Sequence, residues 1–390
     1  MIKKNPHFII KNNSQKGGYR YSDILTSEIL QDVCRQVTGC TEYTCNFDDD
    51  GYNKGRLARI EYLGRIIYVS FSQDGKIASR NSFFQSVTTA LTQYYFDEKR
   101  KKFCFYFLPS EGNVETPYFM FMYRLMATSG IEFLNPDKLE QSISPFNTVD
   151  DIIATRDKLK RHNKSNNSTY ITRSSEKITE IYGKTYGASK KETTLICLAI
   201  STLVSHAKLY EICEQELCTL PEPDLNAIKS RGNMEVISTN MTMEKKYLDD
   251  NSSLRSPRFN YNLLEKMGSK KCAFCKCEIP ELIEGAHIWP VSNIKQKPNL
   301  TLEEKIKHAT DGDNGIWLCQ NHHKMLDNNL LRIVKNGEVK YLSDLDERSV
   351  EFIKESTPIT KIKKEIIVKN FVKYLGKRNK LFSETNYVSL

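Results

Sequence analysis

The sequence has no apolar run approaching the roughly eighteen residues that a membrane-spanning helix requires, and its opening, Met1-Ile2-Lys3-Lys4-Asn5-Pro6, lacks the apolar core of a signal peptide. Its eleven cysteines are an odd number without the spacing of a disulfide framework, which fits a reducing compartment. Internal repeats and low-complexity tracts are also missing, which sets aside solenoids and disordered scaffolds. The expectation is a soluble cytoplasmic protein with no membrane partner. What is present is a chain of 390 residues with 39% hydrophobic content, enough for two or three cores. A net charge of +9 and a pI near 8.8 favour a polyanionic partner.

Chemistry concentrates between Cys272 and Asp327, which hold four of the seven histidines and four of the eleven cysteines. Cys272 and Cys275 have the two-residue gap of a zinc knuckle, and Cys319 with His322 repeats that gap 44 positions after Cys275. Three sulfurs and one imidazole make a closed tetrahedral set, suited to structural zinc because no position stays open for substrate. Cys277 competes for one sulfur position, although a single residue separates it from Cys275. Cys34, Cys40, Cys45, Cys104, Cys197, Cys213 and Cys218 read as small buried hydrophobes.

His287, Asn314, His323 and Asp327 are left over. His287 sits in the apolar run Glu284 to Trp289 that Pro290 ends, which predicts a short strand. Asn314-Gly315 is a turn signal, Ile316 to Leu318 a second strand, and Gln320 to Asn329 a helix. On that helix His323 and Asp327 are four apart and share a face, while His322 points about 100° away. Strand, loop, strand and helix, with these ligands, form a compact metal-dependent site.

These residues resemble the HNH nucleases, also called ββα-metal or His-Me finger nucleases, in the zinc-bearing branch whose core reads roughly C-x-x-C, A-H-I-x-P, N-G-x-x-L-C, H-H. The resemblance spans about residues 268 to 345. It implies that His287 is the general base for the attacking water, and that Asn314 fixes the loop carrying it. It also implies that His323 is a ligand of the catalytic ion and Asp327 the second ligand, in place of a more usual histidine. Ala286 departs from the pattern, standing where relatives often carry a metal-binding residue. A shell so open to water and phosphate suits Mg2+ or Mn2+. An imidazole titrating near about 6.5 can serve as the base at neutral pH.

The fold class expected is α+β, an N-terminal mixed α/β DNA-recognition region followed by a C-terminal ββα-metal nuclease module with a structural zinc. Residues 1–146 are read as an α+β domain for target recognition, 147–175 as a basic polar linker and 176–265 as mainly helical. The nuclease module takes 266–345, and 346–390 forms a basic helical tail. Within the first block, Arg59 to Phe71 reads as a hairpin about Gly64, Asn81 to Phe96 as a helix and Phe103 to Leu108 as a strand. Leu331 to Leu342 reads as a hairpin turning at Asn336-Gly337. Phosphate contacts are expected from Lys99, Arg100, Lys101, Lys102, Arg156, Lys160 and Arg161, while the tail from Ile359 to Leu381 reads first as an amphipathic packing helix and second as a phosphate-tracking basic face. His308, in a polar insertion between the two strands, reads as part of a solvated helix face.

Some 260 residues ahead of a nuclease core imply that something selects the target. The leading expectation is a type II restriction endonuclease acting on double-stranded DNA as a homodimer, because one such site cuts one strand and a palindrome mirrors a two-fold. A cognate methyltransferase would then belong to the same system. The alternatives are a modification-dependent restriction enzyme, an anti-phage effector nuclease, and a zinc-containing DNA-binding protein without catalysis.

Overall fold

The computed structural model describes residues 6–12, 25–47, 57–63, 65–70, 102–106, 116–162, 169–173, 178–187, 189–213, 220–249, 256–380, 383 and 386–390. The fold is mixed α/β and divides into two compact units, one of residues 1–159, 185–207 and 220–235, the other of 160–184, 208–219 and 236–390. The expected helix from Asn81 to Phe96 and the basic residues Lys99, Arg100 and Lys101 lie outside the described residues.

In the first unit β1 (His7–Asn12), β2 (Thr44–Phe47), β3 (Leu57–Tyr62), β4 (Arg65–Ser70), β5 (Lys102–Tyr106) and β6 (Glu132–Phe133) form one sheet in the order β2-β1-β3-β4-β5-β6. The hairpin expected about Gly64 is β3 and β4, whose antiparallel register places Ile60 against Ile67, both fully buried. Two helices are buried over most of their length. Pro117–Thr128 is capped by the Thr116 hydroxyl, and Ser189–Leu203 buries every residue from Glu192 to Ser201.

Glu192 is charged and 1% exposed, and it survives there because it is paired. The Arg156 guanidinium forms a buried ion pair with it, and the Tyr118 hydroxyl donates to its second oxygen at 2.5 Å. Arg156 comes from the helix Val149–His162, which takes 14 residues of the stretch read as a linker, and β7 (Thr169–Arg173) takes five more. The misleading feature was composition. Val149, Ile152, Arg156 and Leu159 recur at helical spacing and are buried, whereas Asp150, Asp151 and Lys158 are exposed.

In the second unit β7, β8 (Thr179–Lys184), β9 (Ala207–Ile212) and β10 (Met234–Thr239) make a sheet in the order β10-β9-β8-β7. Residues 176–265 hold β8, β9 and β10 between helices that cover the larger share, and isolated strands of about six residues leave only a weak alternation signal. The helix Pro257–Met267, capped by the Ser256 hydroxyl and closed at Gly268, buries Phe259, Tyr261, Leu263 and Leu264. These enter the same core as β11 (Ile283–His287), β12 (Gly315–Cys319) and the helix Gln320–Asp327. The hairpin at Asn336-Gly337 forms as expected, with β13 (Leu331–Ile333) against β14 (Val339–Leu342) and φ of +85° at Gly337. The tail gives the helices Glu347–Ser356 and Lys369–Asn379, and β15 (Tyr387–Ser389) adds a third strand beside β14.

Candidate metal centre and active site

Cys272, Cys275, Cys319 and His322 bring their ligand atoms within 4.8 Å of one another, and they are the single such group among the described residues. Cys275 Sγ lies 3.9 Å from Cys319 Sγ, while His322 Nδ1 lies 3.5 Å from Cys272 Sγ and 3.1 Å from Cys319 Sγ. Ligands about 2.3 Å (sulfur) and 2.0–2.1 Å (nitrogen) from a tetrahedral zinc would be separated by about 3.5–3.8 Å, so the set fits that ion. With Nδ1 facing the sulfurs, Nε2–H donates to the buried Thr357 hydroxyl at 3.1 Å and fixes the ring. Burial pushes the three thiols above their ordinary value and His322 down to about 4. A neutral imidazole and a cation that would stabilise buried thiolates are what zinc ligation needs. Cys277 stays outside the group, its carbonyl accepting from the Cys272 N–H at 3.0 Å to close the knuckle.

His287 ends β11 and is 7% exposed. Its Nε2 lies 2.8 Å from the Ala309 carbonyl, which can only accept, so Nε2 carries the proton and the lone pair of the neutral ring is on Nδ1. The ring stacks on Phe259 at 3.8 Å between centroids. Phe259 reaches it only because Gly315, the cross-strand partner of His287, has no side chain. A Cβ there would meet Phe259 at 2.7 Å, and one on Gly285 would meet it at 2.8 Å. The Asn314-Gly315 pair that reads as a turn is therefore a short 3-10 turn followed by an extended glycine kept small for close packing.

Asn314 is fully buried. Its Oδ1 accepts from the Trp289 N–H at 2.7 Å, and its Nδ2 donates to the carbonyls of Trp289 at 3.1 Å and His308 at 3.0 Å. The Asn314 carbonyl also accepts from Ile288 N–H at 2.8 Å. One side chain thus locks the chain leaving His287 to the end of the helix Leu302–Thr310, whose Ala309 carbonyl holds His287.

His323 and Asp327 share a face of the helix Gln320–Asp327, with His323 Nε2 3.4 Å from Asp327 Oδ2. The other nitrogen, Nδ1, lies 3.0 Å from Glu284 Oε2. If Nδ1–H donates to Glu284, the Nε2 lone pair faces a carboxylate oxygen. Two ligands about 2.0–2.1 Å from one octahedral ion stand about 3 Å apart, so the pair fits a shared divalent cation. Glu284 escaped the sequence reading because it lies three residues before His287, outside the usual motif spacing, and meets His323 only through the packing of β11 on the helix. Ala286 is fully buried, paired with Ile316 across the sheet, and offers no ligand atom.

The loop after His287 is also held from the tail. His308 is half-buried rather than solvated. It donates from Nδ1 to the Tyr374 oxygen at 2.9 Å, since the Tyr374 hydroxyl donates to Asp311 at 2.8 Å. Burial, with the Lys377 ammonium adding to it, holds His308 below its ordinary value. Arg378, 5% exposed, donates to the Ile288 carbonyl at 3.2 Å, to the Asn329 side chain at 3.1 Å and to the Leu326 carbonyl. A single guanidinium therefore ties the residue after His287 to the residue before Asp327. No spacing could have announced it from 90 positions away.

Among the expected phosphate contacts, Arg156 is corrected by its buried pairing with Glu192, which takes its charge out of reach of solvent. Lys102 opens β5, and Lys160 and Arg161 lie in the last turn of the helix Val149–His162.

Residues 272–334 match the family model described as HNH endonuclease, so the resemblance carried by the cysteine and histidine motifs is borne out over that stretch. The chain therefore carries an HNH endonuclease domain at its C-terminal end. A search of the curated proteins returned no match.

Proposed function

We propose that the protein is a metal-dependent endonuclease that hydrolyses phosphodiester bonds in double-stranded DNA, and that it works as a restriction enzyme. The observation that carries this reading is the fixing of His287 within the matched domain. Ala309 sets its tautomer, Phe259 its plane and Asn314 the path of its loop. An imidazole held with its lone pair on Nδ1 takes the proton of the attacking water. His323 and Asp327 would hold a divalent ion, Mg2+ or Mn2+, and such an ion supplies stabilisation of the charge that develops on the phosphate and leaving oxygen. Glu284 orients His323 through Nδ1. Zinc on Cys272, Cys275, Cys319 and His322 holds the scaffold. A homodimer acting on a palindrome, with a cognate methyltransferase protecting the host, completes the reading.

Purified protein incubated with unmethylated and methylated plasmid, with Mg2+ or Mn2+ added, tests it. Discrete bands from one plasmid form support restriction, and a smear from both moves the reading to an effector nuclease. Binding without cleavage under every condition would leave a DNA-binding protein, the reading that the missing ligand at Ala286 favours. Within the nuclease reading, Glu284→Ala lowers cleavage or Mn2+ affinity by about 10–100-fold, the usual cost of losing a partner that orients a metal-bound histidine. Glu284→Gln, which still accepts from Nδ1, falls between; a Mn2+ titration of the nicking rate reads both.

A further inference from the structure

The helix Lys369–Asn379 contains no acidic residue and has two distinct faces. Phe371, Tyr374, Leu375 and Arg378 are buried, whereas Lys369, Lys373 and Lys377, four apart in sequence, are exposed in a single row. Their Cα atoms repeat about every 6 Å along the helix. At the end of the row Lys377 lies with Nζ 3.7 Å from the centre of the Trp289 ring, two residues beyond His287, on the loop that Asn314 locks. The exposed Lys297 adds a second cation beside it, and among the described residues none of the four lysines is ion-paired. Partial burial, together with repulsion from Lys297 and Lys373, holds the Lys377 ammonium below its ordinary value. Like charges without an ion pair among the described residues, with Lys377 fixed by a cation–π contact, are poised for an anion.

We propose that Lys369, Lys373, Lys377 and Lys297 form a track that binds successive backbone phosphates of the DNA strand entering the site at His287. The inference rests on the nuclease reading for its ligand. Trp289 and Tyr374, both at most 5% exposed, support the track and have no free face for bases, so the contact is independent of sequence.

The test measures binding rather than cutting. In a His287→Ala background without added divalent ion, the affinity for a random-sequence duplex is followed by fluorescence anisotropy from 50 to 300 mM salt. Replacing Lys369, Lys373 and Lys377 together by Gln is expected to reduce the slope of log K against log salt by about 2–3, since each phosphate contact contributes about 0.9. Triple replacement by Arg is expected to restore it, and the melting temperature, read in parallel, to stay unchanged because the three side chains are exposed. A charge-matched control alters the exposed Lys335, Lys354 and Lys361 instead. An unchanged slope in the triple Gln variant, or an equal loss in the control, overturns the track. If the slope responds as expected while the unmutated protein cuts no DNA under any condition, the track stands and the nuclease reading falls. Cleavage with an unresponsive slope is the reverse case.

Discussion

Replacing Cys272 by Ser is expected to unfold the stretch from about residue 268 to 345 and to release its zinc. Two sulfurs and one imidazole remain, and the buried thiols that zinc would hold as thiolates lose their compensating cation. Structural zinc contributes about 10–16 kcal/mol of apparent binding free energy in finger peptides, comparable with the whole of the roughly 5–15 kcal/mol that holds a typical domain folded. Circular dichroism and zinc content by mass spectrometry read the outcome. A variant that kept its melting temperature and one equivalent of zinc would refute the assignment. Acid should act in the same direction. His322 is pushed down to about 4 in the fold, against about 6.5 in an unfolded chain, so its contribution is complete above about 6.5 and is lost as pH falls towards 4. Protons also compete with zinc for the thiolates.

Replacing His287 by Ala is expected to lower the nicking rate of supercoiled plasmid by about 10²–10⁴-fold, the usual contribution of a positioned general base. Because the ring also stacks on Phe259 and bonds to Ala309, the loss could be confused with a disturbed core. His287→Gln separates the two: an amide keeps a donor near the Ala309 carbonyl but cannot take the proton, so activity falls while the melting temperature changes little. Equal cleavage by His287→Gln and the unmutated protein would mean that another group activates the water.

The parts of this molecule legible in the sequence are those that announce themselves within a few residues. The paired two-residue gaps of Cys272/Cys275 and Cys319/His322 converge as spacing required. The strand, strand, helix order and the Asn336-Gly337 hairpin form as read, because alternation and turn chemistry are local. Contacts that depend on how elements pack were not legible. Glu284 faces His323 across 39 positions, Arg378 reaches back 90 to Ile288, and Phe259 presses on Gly285 and on Gly315, whose smallness reads as turn chemistry. Arg156 was misassigned for the converse reason. Its helix is polar in composition, and only the three- and four-residue spacing of Val149, Ile152, Arg156 and Leu159 reveals that the arginine points inward.

Phe259 and Arg378 also bear on where the domain can be cut and transplanted. The family match runs from residue 272 to 334, yet the ring that sets the plane of His287 belongs to a helix ending before it, and the guanidinium joining Ile288 to Leu326 belongs to a helix beginning 35 residues after it. A graft bounded by the match would carry every motif residue while leaving behind the parts that hold them in register. The smallest portable unit of this domain is expected to run from the Ser256 cap to the end of the Lys369–Asn379 helix, about twice the length its signature suggests.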